Sequence, residues 1–195
     1  MEDKRIKKTK DGLRNAMLAI LDEKPFEKIS VTEICERAGV SRITFYTHYG
    51  SKYDLVSEYF DDMERWAEKQ YQELQRENNR AMAPDADFCN MFDAIIDMYM
   101  ENYNFFRHIM LKDNQYLFFE FYKYMLKNVE DFVAQYEKVL KPKYSLRKVT
   151  NFLCIGMWGF VHAGIDEKSP PDIIRAEARE LIGEMIRSGL LSNPA

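Results

Sequence analysis

The sequence predicts an all-α protein, and three observations on its 195 residues support that fold class. Apolar residues recur at intervals of three and four along almost the whole chain, a spacing that places them on one face of a helix. Alternating apolar and polar runs, which are typical of strands, are missing. Residues that cap helices precede several of the periodic segments. We therefore expect about nine helices and no sheet.

The first predicted helix covers residues 7–23, with an apolar face that includes Leu13 and Met17. It ends ahead of Pro25, because proline lacks the backbone N–H that a helix interior requires. The next segment begins with Ser30 and has Glu33 three residues later, which is the pattern of a capping box.

That capping box predicts a second helix that starts at Val31. It ends at Gly39, which can adopt the left-handed conformation that closes a helix and lets the chain turn. Ser41 is placed to cap a third, short helix over residues 42–49. These three helices form a predicted N-terminal domain, residues 1–52.

The remaining residues, 53–195, are predicted to form a C-terminal helical bundle. Ser51 and Asp54 repeat the capping signal at the start of a long fourth helix, residues 52–76. The other predicted helices cover residues 85–101, 104–111, 114–140, 145–165 and a final segment that begins at Pro170-Pro171, where proline is tolerated in a first helical turn.

Charge and composition exclude several classes of protein. The net charge is −4, but residues 1–52 carry an excess of three positive charges and the remainder an excess of seven negative charges. This asymmetry suits a basic, DNA-facing end on an acidic body. No secretory signal or membrane span is visible, so we expect a soluble cytoplasmic protein. The three cysteines are widely spaced and are expected to be small buried residues, without a disulfide, a metal or another cofactor.

The second and third helices, joined by a glycine turn, make a helix-turn-helix, whose second helix can lie in a DNA major groove. Ile43 and Phe45 are expected to face inward. The side chains that remain available outside are those of Arg42, Thr44, Tyr46, Thr47 and His48. Arginine and threonine can reach base edges, whereas tyrosine and histidine can bond phosphate oxygens. Lys52 adds positive charge at the start of the fourth helix.

A specific family resemblance rests on the run VTEICERAGVSRITFYTHYGSKYDL, residues 31–55. It resembles the signature of the TetR/AcrR regulators, and the similarity covers about residues 7–67. The resemblance implies a TetR-like fold in which certain positions contact DNA. It assigns phosphate contacts to Thr32, Tyr46, His48 and Lys52, and base contacts to Arg42 and Thr44. Tyr49 stands where the family often has phenylalanine.

A homodimer on a palindromic operator is expected, because regulators of this kind read two half-sites on one face of the duplex. In the family, the two last long helices pair with those of a second copy. The residues predicted for this interface are Phe152, Gly156, Gly159, Phe160, Ala163, Ile174, Ala178, Leu181 and Met185. The alternative is that both helices are buried within one chain.

A pocket for a small effector is also implied by the resemblance, and its large soft side chains suit an apolar or aromatic ligand. The candidate residues are Met63, Trp66, Met98, Tyr103, Phe106, Phe121, Tyr122, Met125 and Trp158. Such residues at helical spacing are also typical of an ordinary core.

The function predicted from the sequence is sequence-specific transcriptional regulation, as a repressor released by an effector. An activator, or a regulator controlled by a partner protein, fits the same residues. An all-α enzyme is the remaining alternative, but the sequence contains no phosphate-binding glycine loop, metal-ligand spacing or nucleophile signature.

Overall fold

The computed structural model describes residues 4–109, 114–136 and 143–188, and over these ranges the chain is helical without strands. The helices are α1 (Lys4–Leu21), α2 (Val31–Ala38), α3 (Arg42–His48), α4 (Lys52–Asn78), α5 (Pro84–Glu101), α6 (Tyr103–Phe106), α7 (Gln115–Gln135), α8 (Leu146–Asp166) and α9 (Pro171–Arg187), with a 3₁₀ turn at Phe26–Lys28. The predicted all-α class is confirmed. The predicted ends of the sixth and seventh helices, Leu111 and Leu140, lie outside the described residues.

The chain forms two compact units. The first comprises the described residues of 1–64 and 102–121, and the second those of 65–101 and 122–195. α4 contributes residues 52–64 to the first unit and residues 65–78 to the second. The sequence placed a functional boundary at residues 52–53, and that functional division stays a prediction.

The first unit is built around the helix-turn-helix. α1 packs against α2, and α2 packs against α3. Leu13, Met17, Ile34, Phe45 and Leu55 are buried in the core of this unit. Each such side chain, when fully buried, contributes about 1.5–3 kcal/mol relative to exposure. The helix-turn-helix therefore has an apolar core that holds α3 in place from its inner face.

The second unit contains two ion pairs that join α5 to α9. Asp93 binds Arg179, and one turn further along α5 Asp97 binds Arg175. The residues are four apart on both helices, a spacing that puts each pair on one face. The Asp93 side chain is only 1% exposed, so the Arg179 guanidinium replaces the water that a carboxylate would otherwise contact. These pairs orient α9 along α5.

A polar network joins α4 to α5 in the same unit. Tyr71 donates its hydroxyl hydrogen to an Asp87 oxygen at 2.6 Å and accepts a hydrogen bond from the Gln75 amide at 2.9 Å. Asn90 donates to the Gln75 amide oxygen at 3.2 Å. Asp87 and Asn90 are buried, and buried polar groups of this kind fix the register of two helices because a shift would leave them unpaired.

α8 approaches α9 closely near its C-terminal end. A methyl group added to Gly164 would lie 2.8 Å from the Ile174 side chain. A side chain at this position would therefore force the buried Ile174 side chain to move. Among the described helices, none combines the length and the apolar character that a membrane crossing needs.

Candidate nucleic-acid interface

The ends of α2 are fixed by the residues that the sequence identified. Ser30 Oγ accepts a hydrogen bond from the Glu33 N–H at 3.3 Å, and a Glu33 carboxylate oxygen accepts one from the Ser30 N–H at 2.9 Å. Hydrogen bonds from Lys24 and then from Ser30 lower the pKa of Glu33 to about 2. Gly39 closes the helix with φ +66°. The predicted capping box and glycine turn are confirmed.

The short helix α3 is held at both ends. Ser41 Oγ accepts a hydrogen bond from the Thr44 N–H at 3.0 Å, as its capping position predicts. At the other end, the Tyr49 hydroxyl donates to Glu58, which also accepts a hydrogen bond from Lys10 at 2.6 Å. Residues from α1 and α4 therefore meet at the end of α3.

The pKa shifts of Tyr49 and Glu58 are consistent with the hydrogen bond between them. Burial, and then the bond to Glu58, raise the pKa of the Tyr49 phenol, so it remains a neutral donor. Burial acts to raise the pKa of Glu58, but hydrogen bonds from Lys10 and Tyr49 outweigh it, and the pKa lies below its usual value. The hydroxyl of Tyr49 thus anchors the end of α3.

The outer face of α3 carries most of the side chains that the sequence predicted. Arg42, Tyr46 and Thr47 are exposed, whereas Thr44 and His48 are half-buried. Thr32, also in the predicted set, is exposed on α2. The Arg42 guanidinium lies 5.9 Å from the centre of the Tyr46 ring. Hence the residues expected to read or position DNA lie in the same unit, and most of them are accessible.

The expected orientation of Ile43 is wrong. Its side chain is 83% exposed, whereas Phe45 is fully buried as expected. In a helix of seven residues, one inward position near the middle is enough to fill the core, and successive residues are about 100° apart around the axis. With Phe45 pointing inward, Ile43 lies about 200° away and therefore faces outward.

Lys52 has an unexpected role. Its ammonium donates to three backbone carbonyl oxygens of the 3₁₀ turn and its flank: those of Phe26 at 2.7 Å, Glu27 at 3.0 Å and Ile29 at 2.7 Å. An ammonium has three donors, so these bonds use all of them. Burial lowers the pKa of Lys52. The predicted phosphate contact would require one of these bonds to break.

Phe26 connects this lysine to a distant part of the chain. Its ring lies 4.6 Å from Lys52 Nζ and stacks on the Tyr116 ring with centroids 5.4 Å apart. Its N–H donates to the Asn114 side-chain oxygen at 2.5 Å, and Asn114 in turn donates to the His108 carbonyl oxygen at 2.8 Å. We call the described residues of this segment, 102–109 and 114–121, the strap, because they belong to the unit of the helix-turn-helix and contact the residues that join α1 to α2.

Further contacts hold the strap to the end of α1. Asp22 accepts hydrogen bonds from Arg107 and, at 3.0 Å, from His108. Burial lowers the pKa of His108, and Arg107 acts in the same direction, whereas Asp22 opposes them. The sequence did not identify Asn114 or Asp22 as functional, since neither lies in a motif and their partners are distant in sequence.

A second group of exposed positive charges lies at the start of α1. Lys4, Arg5, Lys7 and Lys8 are exposed on its first turns. Because phosphate contacts by lysine and arginine supply most of the non-specific affinity for DNA, this basic segment complements the face of α3. The sequence-derived excess of positive charge in residues 1–52 is therefore accessible in the structure.

The residues predicted for an effector pocket fall in both units. Met63, Phe106 and Phe121 are buried in the first unit, where Tyr103 is exposed. Those in the second unit are Trp66, Met98, Tyr122, Met125 and Trp158, all except Met98 half-buried. The predicted pocket remains a prediction.

The residues predicted for the dimer interface divide into two sets. Phe152, Gly156, Gly159 and Ala163 are exposed on α8, with Phe152 58% exposed. On α9, Leu181 is exposed, whereas Ile174 and Ala178 are buried within this chain, at 0% and 1% exposure. Phe160 and Met185 are half-buried.

The last two helices therefore present a narrower accessible face than the sequence indicated. Ile174 and Ala178 occupy the inner side of α9, which packs on α5 and α8. From the sequence, the apolar residues of α9 were expected to face a second copy. In the structure, Ile174 and Ala178 instead lie in the chain's own core.

Comparisons with known proteins agree with the geometry of the first unit. Residues 13–59 match the family described as bacterial regulatory proteins, tetR family. An uncharacterized HTH-type transcriptional regulator of Bacillus subtilis (strain 168), YxbF, is 34% identical over 55 residues. The matched segment is 28% of this chain and 14% of that protein, so the chain spans only a small part of the relative's length.

Solved structures extend the likeness to the whole fold. The fatty acid degradation regulator FadR from Bacillus halodurans has a TM-score of 0.67 at 13% identity, with 95% of this chain and 97% of that chain covered. SmeT, the repressor of the Stenotrophomonas maltophilia multidrug efflux pump SmeDEF, has a TM-score of 0.59 at 18% identity, with 95% and 91% covered. At such low identity, the likeness concerns the fold.

Proposed function

We propose that this chain, as a member of the tetR family of bacterial regulatory proteins, is a homodimeric repressor. It binds a palindromic DNA operator and is released from the DNA by an apolar or aromatic effector. The observation that carries the proposal is α3, a short helix capped at Ser41 and anchored at Tyr49, with Arg42, Tyr46 and Thr47 exposed. The proposal includes a cytoplasmic location and no catalysis.

The geometry of α3 supports major-groove binding. A recognition helix reads bases with residues near its N-terminus while flanking groups hold the phosphate backbone. Arg42 is the first residue of α3 and can make two hydrogen bonds to guanine. Thr32, Tyr46 and His48 are the proposed phosphate ligands, together with the basic start of α1. Because Lys52 is committed to backbone carbonyls, we leave it out of this set.

Selection of DNA from a random pool at two salt concentrations tests the proposal. We expect recovery of a palindrome, because two copies of α3 related by a two-fold axis read two equal half-sites. Replacement of Arg42, Thr44 and Tyr46 together by alanine should abolish binding to the selected duplex, while Arg80→Ala, an exposed arginine of the second unit, should leave it unchanged. Unaltered affinity of the triple variant would contradict the proposal.

The dimer is proposed to form through the exposed face of α8. A Cβ added to Gly156 or Gly159 would meet no atom within 4 Å outside the adjacent residues and backbone of α8 itself, so a larger side chain there would be opposed by a second copy. Gly159→Glu should therefore shift the protein from dimer to monomer in sedimentation experiments. Gly12→Glu is a matched control, because the position of its Cβ is equally open. A dimer that persists in Gly159→Glu would exclude this face.

The effector is proposed to bind among aromatic and methionine side chains of the second unit. Tyr99 and Trp158 contact each other with ring centroids 5.3 Å apart, and the Tyr99 hydroxyl lies 3.4 Å from His162 Nδ1. This group offers apolar surface with a polar end, which suits a ligand that is mostly apolar. The fatty acid degradation regulator among the similar structures is consistent with that class.

Tryptophan fluorescence provides a test of effector binding. Both tryptophans, Trp66 and Trp158, lie in the second unit. Long-chain fatty acids and flat aromatic compounds are suitable probes. A ligand of the proposed kind should change the emission and weaken operator binding, because an effector must bind the two states of the protein with different affinity. Ligands that bind without any effect on DNA affinity would count against effector control.

A further inference from the structure

Among the described residues, Ile43 is the most exposed large apolar side chain, at 83%, ahead of Met82 at 64%. It occupies the second position of α3, directly after Arg42. An isolated apolar residue on a protein surface is common, but this one lies in the first turn of the helix proposed to enter the major groove. The position, rather than the exposure alone, suits a binding partner with an apolar feature.

The hydroxyl groups beside Ile43 are partly committed within the protein. Thr47 donates its hydroxyl hydrogen to the Ile43 carbonyl oxygen at 2.9 Å, and the hydroxyls of Ser41 and Thr44 are hydrogen-bonded to each other at 2.9 Å. A threonine hydroxyl has a single hydrogen to donate, so Thr47 has no donor left for a base. In the first turn of α3, the two exposed side chains are those of Arg42 and Ile43, so a guanidinium lies beside a branched apolar group.

The major groove contains one apolar feature, the C5-methyl group of thymine. Isoleucine is well suited to contact it, because branching at Cβ restricts χ1 in a helix and holds the methyl groups in one orientation. We propose that Ile43 contacts the methyl group of one thymine in each half-site, next to the base contacted by Arg42. This inference rests on the proposed function and extends it to a specific base.

The test replaces each thymine of the selected duplex by deoxyuridine, which removes the methyl group and keeps base pairing. Burial of one methyl group is worth about 0.8 kcal/mol, or about fourfold in affinity. We expect one position per half-site at which the replacement weakens wild-type binding about fourfold. Ile43→Ala should bind the thymine duplex more weakly and should show no further loss at that position, whereas Ile43→Val should retain part of the effect.

Ile173→Ala serves as the matched control, since Ile173 is also exposed but lies on α9. It should respond to deoxyuridine as the wild type does. The inference is overturned if the wild type binds every substituted duplex equally, or if Ile43→Ala retains the full sensitivity. In both cases binding of the selected duplex, and its loss in Arg42→Ala, would leave the proposed function intact. Absence of binding to any selected duplex would overturn both.

Discussion

Replacement of Lys52 by methionine tests the role that the structure gives this lysine. Methionine keeps the apolar stem near the Phe26 ring and removes the three hydrogen bonds to carbonyl oxygens. A hydrogen bond to a charged group contributes about 1.5–3 kcal/mol, and contributions do not add fully. The Glu27 carbonyl is exposed and water can replace that bond, whereas those of Phe26 and Ile29 are partly buried. We expect a loss of about 2–3 kcal/mol in the free energy of unfolding.

Urea unfolding followed by circular dichroism measures this loss. Lys28→Met is the matched control, because Lys28 ends the same 3₁₀ turn and is exposed. Its effect should stay within about 0.5 kcal/mol. Equal, small losses in both variants would refute the reasoning, because they would show that the three bonds contribute no net stability.

Salt dependence of operator binding gives a second measurement on the same variant. A lysine that contacts a phosphate contributes about one unit to the slope of log affinity against log salt concentration. Because the ammonium of Lys52 is directed to the 3₁₀ turn, we expect Lys52→Met to keep the wild-type slope. A slope lower by about one would instead support the phosphate contact that the sequence predicted for Lys52.

Three other variants test separate features of the two units. Ser30→Ala should lower the free energy of unfolding by about 1 kcal/mol in urea titrations, because it removes the cap of α2. Arg179→Met should cost about 3 kcal/mol by the same measurement, since it leaves the buried carboxylate of Asp93 unpaired; a loss below 0.5 kcal/mol would contradict this. Glu33 has its pKa lowered to about 2 by Lys24 and Ser30, so it stabilises the fold above about pH 4.5 and loses that effect as the pH falls toward 2. Glu33→Gln should therefore reduce the difference in urea midpoint between pH 5 and pH 2.5, and an unchanged difference would refute the assignment.

Local features of the first unit were predictable from the sequence because their partners are close along the chain. Ser30 and Glu33 are three residues apart, and Gly39 acts on the helix that it directly follows. Capping and left-handed glycine depend on short-range backbone geometry, which a few residues determine. The positions of α2 and α3, and with them the accessible face that includes Arg42, followed from these signals.

Features that depend on distant residues were not predictable in the same way. Lys52 has a charge that suits a phosphate, and only the fold shows that three carbonyl oxygens more than 20 residues away receive its hydrogens. Asn114 accepts a hydrogen bond from the Phe26 N–H, although the two residues are 88 positions apart in the sequence. Ile43 was misplaced because a helix of seven residues has too few apolar positions to define its inner face. The inner face of α9, which includes Ile174, was likewise assigned to a partner because periodicity does not distinguish a chain's own core from an interface.

The contacts of the strap limit how the N-terminal helices can be exchanged between proteins. A chimaera that carried residues 1–64 onto another body would leave the Phe26 amide without the Asn114 oxygen and its ring without Tyr116. Recombination would therefore have to move two separate stretches of the gene together. If α3 binds DNA as proposed, substitution of its exposed residues would change the preferred DNA sequence and leave these distant contacts in place.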